Sequence, residues 1–171
     1  MPKRKDRRLP MPKFKTIILI LLLLSLFINA IDFKEIKLIE ALDLETFRYG
    51  SIAYDKQKTI ITYRDGKIIT KLDNTLTVHN QKNELLTTID LRKKPQVALY
   101  FRLTKALFSK NFDTLKDNFD IKKQNLTYHF MPKGDTAQVV EGIELLLKAD
   151  GSVIYFIIDF RNRDSIKIET L

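Results

Sequence analysis

The chain has no cysteine and no tryptophan, and only two histidines, five glycines and five prolines among 171 residues. Without cysteine there is no disulfide, no thiolate metal site, no cysteine nucleophile and no thiol to carry the lipid of a bacterial lipoprotein. So few glycines and prolines exclude a collagenous or linker-like chain. Charged residues at 30% and apolar residues at 44% exclude an acidic or low-complexity tail and leave enough hydrophobic mass for a core. His79 and His129 fall in different strand-like segments and read as solvent-facing strand residues, not as a ligand pair. Asp65-Gly66 and Asp150-Gly151 are turns rather than a calcium loop. Ser109, Ser152 and Ser165 lack a Gly-x-Ser-x-Gly setting, and Asp159 reads as an exposed strand residue. The pattern points away from an enzyme or a metalloprotein and implies no cofactor and no metal.

Charge of one sign is in surplus. The 30 Lys and Arg exceed the 21 Asp and Glu by nine, which by itself favours nucleic acid or an anionic membrane. Its position argues otherwise. Residues 1–15 hold seven basic residues and one acid, and residues 16–30, TIILILLLLSLFINA, hold no charge. The apolar run Ile17–Ile28, broken only by Ser25, is 12 residues long, short of the roughly 20 that span a bilayer. A basic start, a short apolar run and a small residue at its end make a secretory signal peptide over 1–30, with cleavage expected after Ala30 and an uncleaved anchor as the alternative. Met11 offers a second start, because the chain from there is itself an ordinary signal peptide. The remaining 31–171 carries 23 basic and 20 acidic residues, so the nucleic-acid reading loses its support and the periplasm becomes the expected compartment.

Residues 31–47 place Phe33, Ile36, Ile39 and Leu42 three apart, which suits a short amphipathic helix, with a strand near Lys37–Leu44 as the alternative. From Gly50 the period becomes two. Strands are predicted at Gly50–Tyr54, Thr59–Arg64, Lys67–Leu72, Thr75–Asn80, Glu84–Leu91, Leu126–Met131, Ala137–Lys148, Ser152–Phe160 and Ser165–Thr170. Between them Pro95–Lys110 is apolar over most of its circumference, so it reads as a helix buried on more than one side, and Asp113–Asn118 as a second short helix with Leu115 inward. Alternation puts Ile52, Tyr54, Ile61, Tyr63, Leu76, Val78, Tyr128, Phe130, Ile143, Leu145, Ile154, Phe156 and Ile158 on one apolar face. The expected fold is mainly β: a single curved antiparallel sheet of about nine strands with helices in its concave face. The 17 Phe and Tyr form either an ordinary core or the lining of a ligand cavity.

The order of these features resembles the periplasmic outer-membrane lipoprotein carrier family (LolA-like proteins) from about Phe47 to Leu171. The matching stretches are FRYGSIAYDKQKTIITYRDGK, KLDNTLTVHNQ, FMPKGD and VEGIELLLKADGSVIYFIIDFRNRDSIKIET. The family's basic-Pro pair falls on Lys56-Gln57, without the proline. The resemblance implies an unclosed β-barrel whose concave face takes acyl chains. It makes Pro95–Lys110 a lid, through Val97, Tyr100, Phe101, Leu103, Leu107 and Phe108, and Lys56 the basic position that holds the lid. It further implies a monomeric carrier of acylated lipoproteins or lipids, loaded by an inner-membrane release complex or lipid exporter and unloaded at an outer-membrane acceptor, with no nucleic-acid partner. A carrier for another exported lipid or glycolipid, and a membrane-anchored interaction module without cargo, are the alternatives.

Overall fold

The computed structural model describes residues 30–55 and 57–171. The expected signal peptide or anchor, the alternative start at Met11, and Lys56 lie outside the described residues. Among the described residues, eleven antiparallel strands form one sheet. In chain order they are β1 Ile31–Ile39, β2 Leu44–Tyr54, β3 Lys58–Tyr63, β4 Ile68–Leu72, β5 Thr75–His79, β6 Leu85–Asp90, β7 Phe119–Gln124, β8 Thr127–Pro132, β9 Val140–Leu147, β10 Val153–Phe160 and β11 Ser165–Thr170. Helix α1, Pro95–Ser109, lies in the connection from β6 to β7. The spatial order is β6-β5-β4-β3-β2-β1-β11-β10-β9-β8-β7. Two hairpin meanders are thus zipped together by the pairing of the first strand with the last, and β6 and β7 are the two edges of an unclosed sheet. The connection carrying α1 therefore starts at one edge and ends at the other.

Residues 31–39 form a strand, not the amphipathic helix that the three-residue spacing suggests. β1 pairs with β2 on one side and β11 on the other, so it sits at the centre of the sheet. A central strand with both faces partly covered loses the clean alternation that betrays an edge hairpin. Pairing on both sides outweighs a weak helical pattern interrupted by Glu40 and Asp43. β7 was absent from the pattern because Asp120, Lys122, Lys123 and Gln124 make an edge strand look like a loop, although Phe119 is fully buried. The expected helix at Asp113–Asn118 is only a 3-10 turn, Phe112–Leu115, with Leu115 inward as the spacing requires. The expected strand start at Ala137 is also a 3-10 turn, Gly134–Gln138.

Helix α1 begins at Pro95, whose missing N–H costs nothing in a first turn. It ends at Lys110, which takes the left-handed conformation (φ 55°) and returns its N–H to the last turn. Phe101, Leu103, Thr104, Ala106, Leu107 and Phe108 are all buried, so the helix is enclosed on most of its circumference. Phe108 meets Phe156 of β10 edge-to-face at 5.3 Å between ring centroids, which seats the helix on the concave face.

Gly50 marks a close approach on that face. A Cβ there would come within 2.6 Å of the Thr62 carbonyl oxygen and 3.2 Å of the Phe33 ring. Phe33 in turn packs edge-to-face on Tyr63. Gly50→Ala is expected to lower stability by about 1–3 kcal/mol through overpacking, read as a lower thermal midpoint; an unchanged midpoint would show that β2 and β3 yield without cost.

Candidate functional site

The concave face is built from alternate residues of successive strands. Ile52, Ile61, Tyr63, Leu76, Phe130, Ile143, Leu145, Phe156 and Ile158 are buried there, and Tyr54, Val78 and Tyr128 are half-buried against the same core. Ile154 is the exception. A register shift between Val153 and Tyr155 places two residues of β10 against one step of β9. The bulge puts Val153 into the core instead, and Ile154 is not part of it. From the helix, Phe101, Leu103, Leu107 and Phe108 are buried in this core, while Val97 and Tyr100 pack at its margin.

Alternation along β1 turns Phe33, Glu35 and Lys37 to the concave side. Glu35 is only 2% exposed. Its Oε2 accepts hydrogen bonds from Tyr63 Oη of β3 at 3.2 Å and from Tyr100 Oη of α1 at 2.9 Å. Its Oε1 makes no hydrogen bond and faces Lys37 Nζ at 3.4 Å. Arg48 stands directly across from Glu35 in the β1–β2 register, and its guanidinium lies 5.3 Å over the Tyr63 ring. Burial, then the Glu35 charge, push the hydroxyls of Tyr63 and Tyr100 well above the ordinary phenol value. Both stay protonated and serve as donors to the carboxylate. Glu35 thereby ties the central strand, the next strand but one and the helix at one point. Sequence reasoning missed it because it read this segment as a helix; a single acid between Phe33 and Lys37 on a strand was the available signal.

The other end of α1 is held by lysines. Lys105 Nζ donates to the Asp55 carbonyl at the β2–β3 turn, and Lys110 Nζ donates to the Gly151 carbonyl at the β9–β10 turn at 2.9 Å. The helix is thus pinned to the sheet at its first half by one tyrosine and at its second half by two cations.

A cavity of about 630 Å³ opens beside the first half of α1. Val97 and Tyr100 form its helical wall, Ile39, Phe160 and Ile166 its floor, and Lys37, Arg161 and Asp164 reach its rim. None of the thirteen sheet positions expected to line a cavity borders this space; those of them that are buried pack under the helix. Tyr100 belongs both to the wall of the cavity and to the Glu35 cluster. Opening further apolar surface to the cavity therefore means lifting α1 and breaking the Tyr100–Glu35 bond.

An unclosed antiparallel sheet with one helix across its concavity is the architecture that the resemblance to the lipoprotein carriers implies. No family model matches the chain, and no curated protein matches it. Among solved structures, the Mycobacterium tuberculosis lipoprotein LppX is similar with 11% identity, 88% of each chain covered and a TM-score of 0.44. A LolA-superfamily protein from Nitrosomonas europaea is similar with 7% identity, 83% of each chain covered and a TM-score of 0.37. A domain of a putative outer membrane lipoprotein-sorting protein from Vibrio parahaemolyticus is similar with 7% identity, 82% of each chain covered and a TM-score of 0.35. No residue-level correspondence follows at this distance.

Proposed function

We propose that the chain is an exported carrier that binds acyl chains, of a lipid or of a lipoprotein, on the concave face of its sheet, with α1 as the lid. The observation that carries this reading is the helix itself: one element, enclosed on most of its circumference, covers an apolar face that is open at both sheet edges and hollow beside the helix's first half. The basic and apolar start of the chain supports export to the periplasm. There the carrier would take its cargo from an inner-membrane release complex or lipid exporter and pass it to an outer-membrane acceptor.

Energetics favour a surface shared with a lid. Burying a methylene contributes about 0.8 kcal/mol, so a chain of ~15 methylenes would gain on the order of 12 kcal/mol on a bare apolar face. A carrier bound that tightly could not unload. When α1 already occupies the face, the cargo gains only the difference between its own packing and that of the helix. Purification of the protein from periplasm followed by mass spectrometry is expected to show co-purifying lipid or acylated protein. A clean apoprotein that also takes up no fatty acid when one is offered would overturn the reading.

A further inference from the structure

Strand registers align side chains in rows across the concave face. One row runs Phe130, Ile143, Ile158 and Ile166 over β8, β9, β10 and β11, and its next member on β1 is Lys37. Four apolar residues in line, at about 4.8 Å between neighbouring strands, make a track that ends on a cation. Ile166 and Lys37 at the end of this track both border the cavity beside α1, and Arg161 stands on the same rim.

The charges at that rim are not equally committed. Asp164 is fully engaged, with Oδ1 accepting from the Glu40 N–H at 3.0 Å and Oδ2 from Asn162 Nδ2 at 2.6 Å. Glu35 lies buried behind Lys37, and its Oε2 already accepts two hydroxyls. Arg161 uses only its Nε, on the Ala137 carbonyl at 3.1 Å, and its two Nη groups have no partner among the described residues. Lys37 is half-exposed, and its one partner among the described residues is Glu35. The rim therefore offers unused donors and cations, while the one carboxylate oxygen among Glu35 and Asp164 without a hydrogen bond, Glu35 Oε1, is buried behind Lys37. A cavity of about 630 Å³ also falls within the ~300–1,000 Å³ that hold one small ligand, which gives room for the head and the first part of one chain while the helix stays docked; Phe130, Ile143 and Ile158 are buried outside this cavity and meet the rest of the chain when α1 lifts.

We infer that the molecule held here is a single acyl chain ending in an anionic headgroup, with the chain along the Phe130–Ile166 track and the head between Lys37 and Arg161. The inference rests on the acyl-binding reading and adds the chemistry of the head. Carboxylate and phosphate share this chemistry, and the planar fork of Arg161 fits either.

Equilibrium dialysis of the full-length protein against palmitate, hexadecyl phosphate and hexadecanol, which share one chain length, tests it. Both anions are expected to bind about tenfold more tightly than the alcohol, the scale of one charge-assisted contact, and the tighter of the two identifies the head. Arg161→Gln, which leaves the Glu35 cluster intact, is expected to remove most of that preference. Equal binding of all three would overturn the headgroup inference and leave acyl binding standing. Failure of all three to bind would overturn both.

Discussion

Leu107→Ala is expected to destabilise the protein and, in the same molecule, to tighten its grip on a fatty acid. Leu107 is 0% exposed at the helix–sheet interface. Truncating such a leucine costs about 2–5 kcal/mol, from lost transfer energy and the cavity left behind. If α1 and the cargo compete for the concave face, docking energy lost by the helix is energy the cargo need not displace. A loss of about 3 kcal/mol would then appear as up to about a 100-fold gain in affinity. Thermal melting and fatty-acid titration on one preparation check both. Weakened or unchanged binding alongside the lower melting point would make α1 a fixed wall instead of a competitor.

Glu35→Ala is expected to have the larger cost in stability. It removes a buried carboxylate and leaves the hydroxyls of Tyr63 and Tyr100 without their acceptor. Each buried donor left without its acceptor costs about 1–3 kcal/mol. The two tyrosines separate helix from sheet. Tyr100→Phe loosens the helix, at roughly 1–3 kcal/mol for a hydrogen bond to a charged group, and should raise affinity for an acyl chain. Tyr63→Phe removes a similar bond within the sheet and should lower stability with no gain in affinity. Equal effects of the two on binding would remove the latch role from Tyr100.

The same cluster sets an alkaline limit. Both phenols are raised in the folded chain, by burial and then by the Glu35 charge. Above their unfolded value of about 10, the unfolded chain sheds protons that the folded chain keeps. Their contribution to stability is complete below about pH 10 and declines as pH rises above it. Denaturant titrations between pH 9 and about pH 11 should show a fall that shrinks in the Tyr63→Phe, Tyr100→Phe double variant.

Much of this architecture was readable from period and punctuation. Asp65-Gly66 and Asp150-Gly151 announce hairpins, and Pro95 begins the one stretch whose apolar residues wrap around a helix. Those signals are local, and local chemistry decides them. Elsewhere the deciding partner lies far off in sequence. β1 is a strand because β11, at the other end of the chain, pairs with it. Ile154 leaves the core because of how β10 meets β9, which no spacing within SVIYFIIDF reveals. Glu35 is the sharpest case: its role depends on hydroxyls contributed 28 and 65 residues later. The apolar face was therefore visible in outline, while the polar point that fastens the helix to it was not.

Because the connection carrying α1 runs from β6 to β7, the helix is spliced between the two free margins of the sheet. It cannot swing away on a single hinge, as a flap fixed at one end would. Displacing it pulls on both margins at once, so the height of the helix above the sheet and the gape of the half-barrel are one mechanical coordinate. The segment would then work as a drawstring for any guest of the concave face: one that wedged the margins apart would draw the helix outward, and its departure would let the margins fall back and the helix reseat.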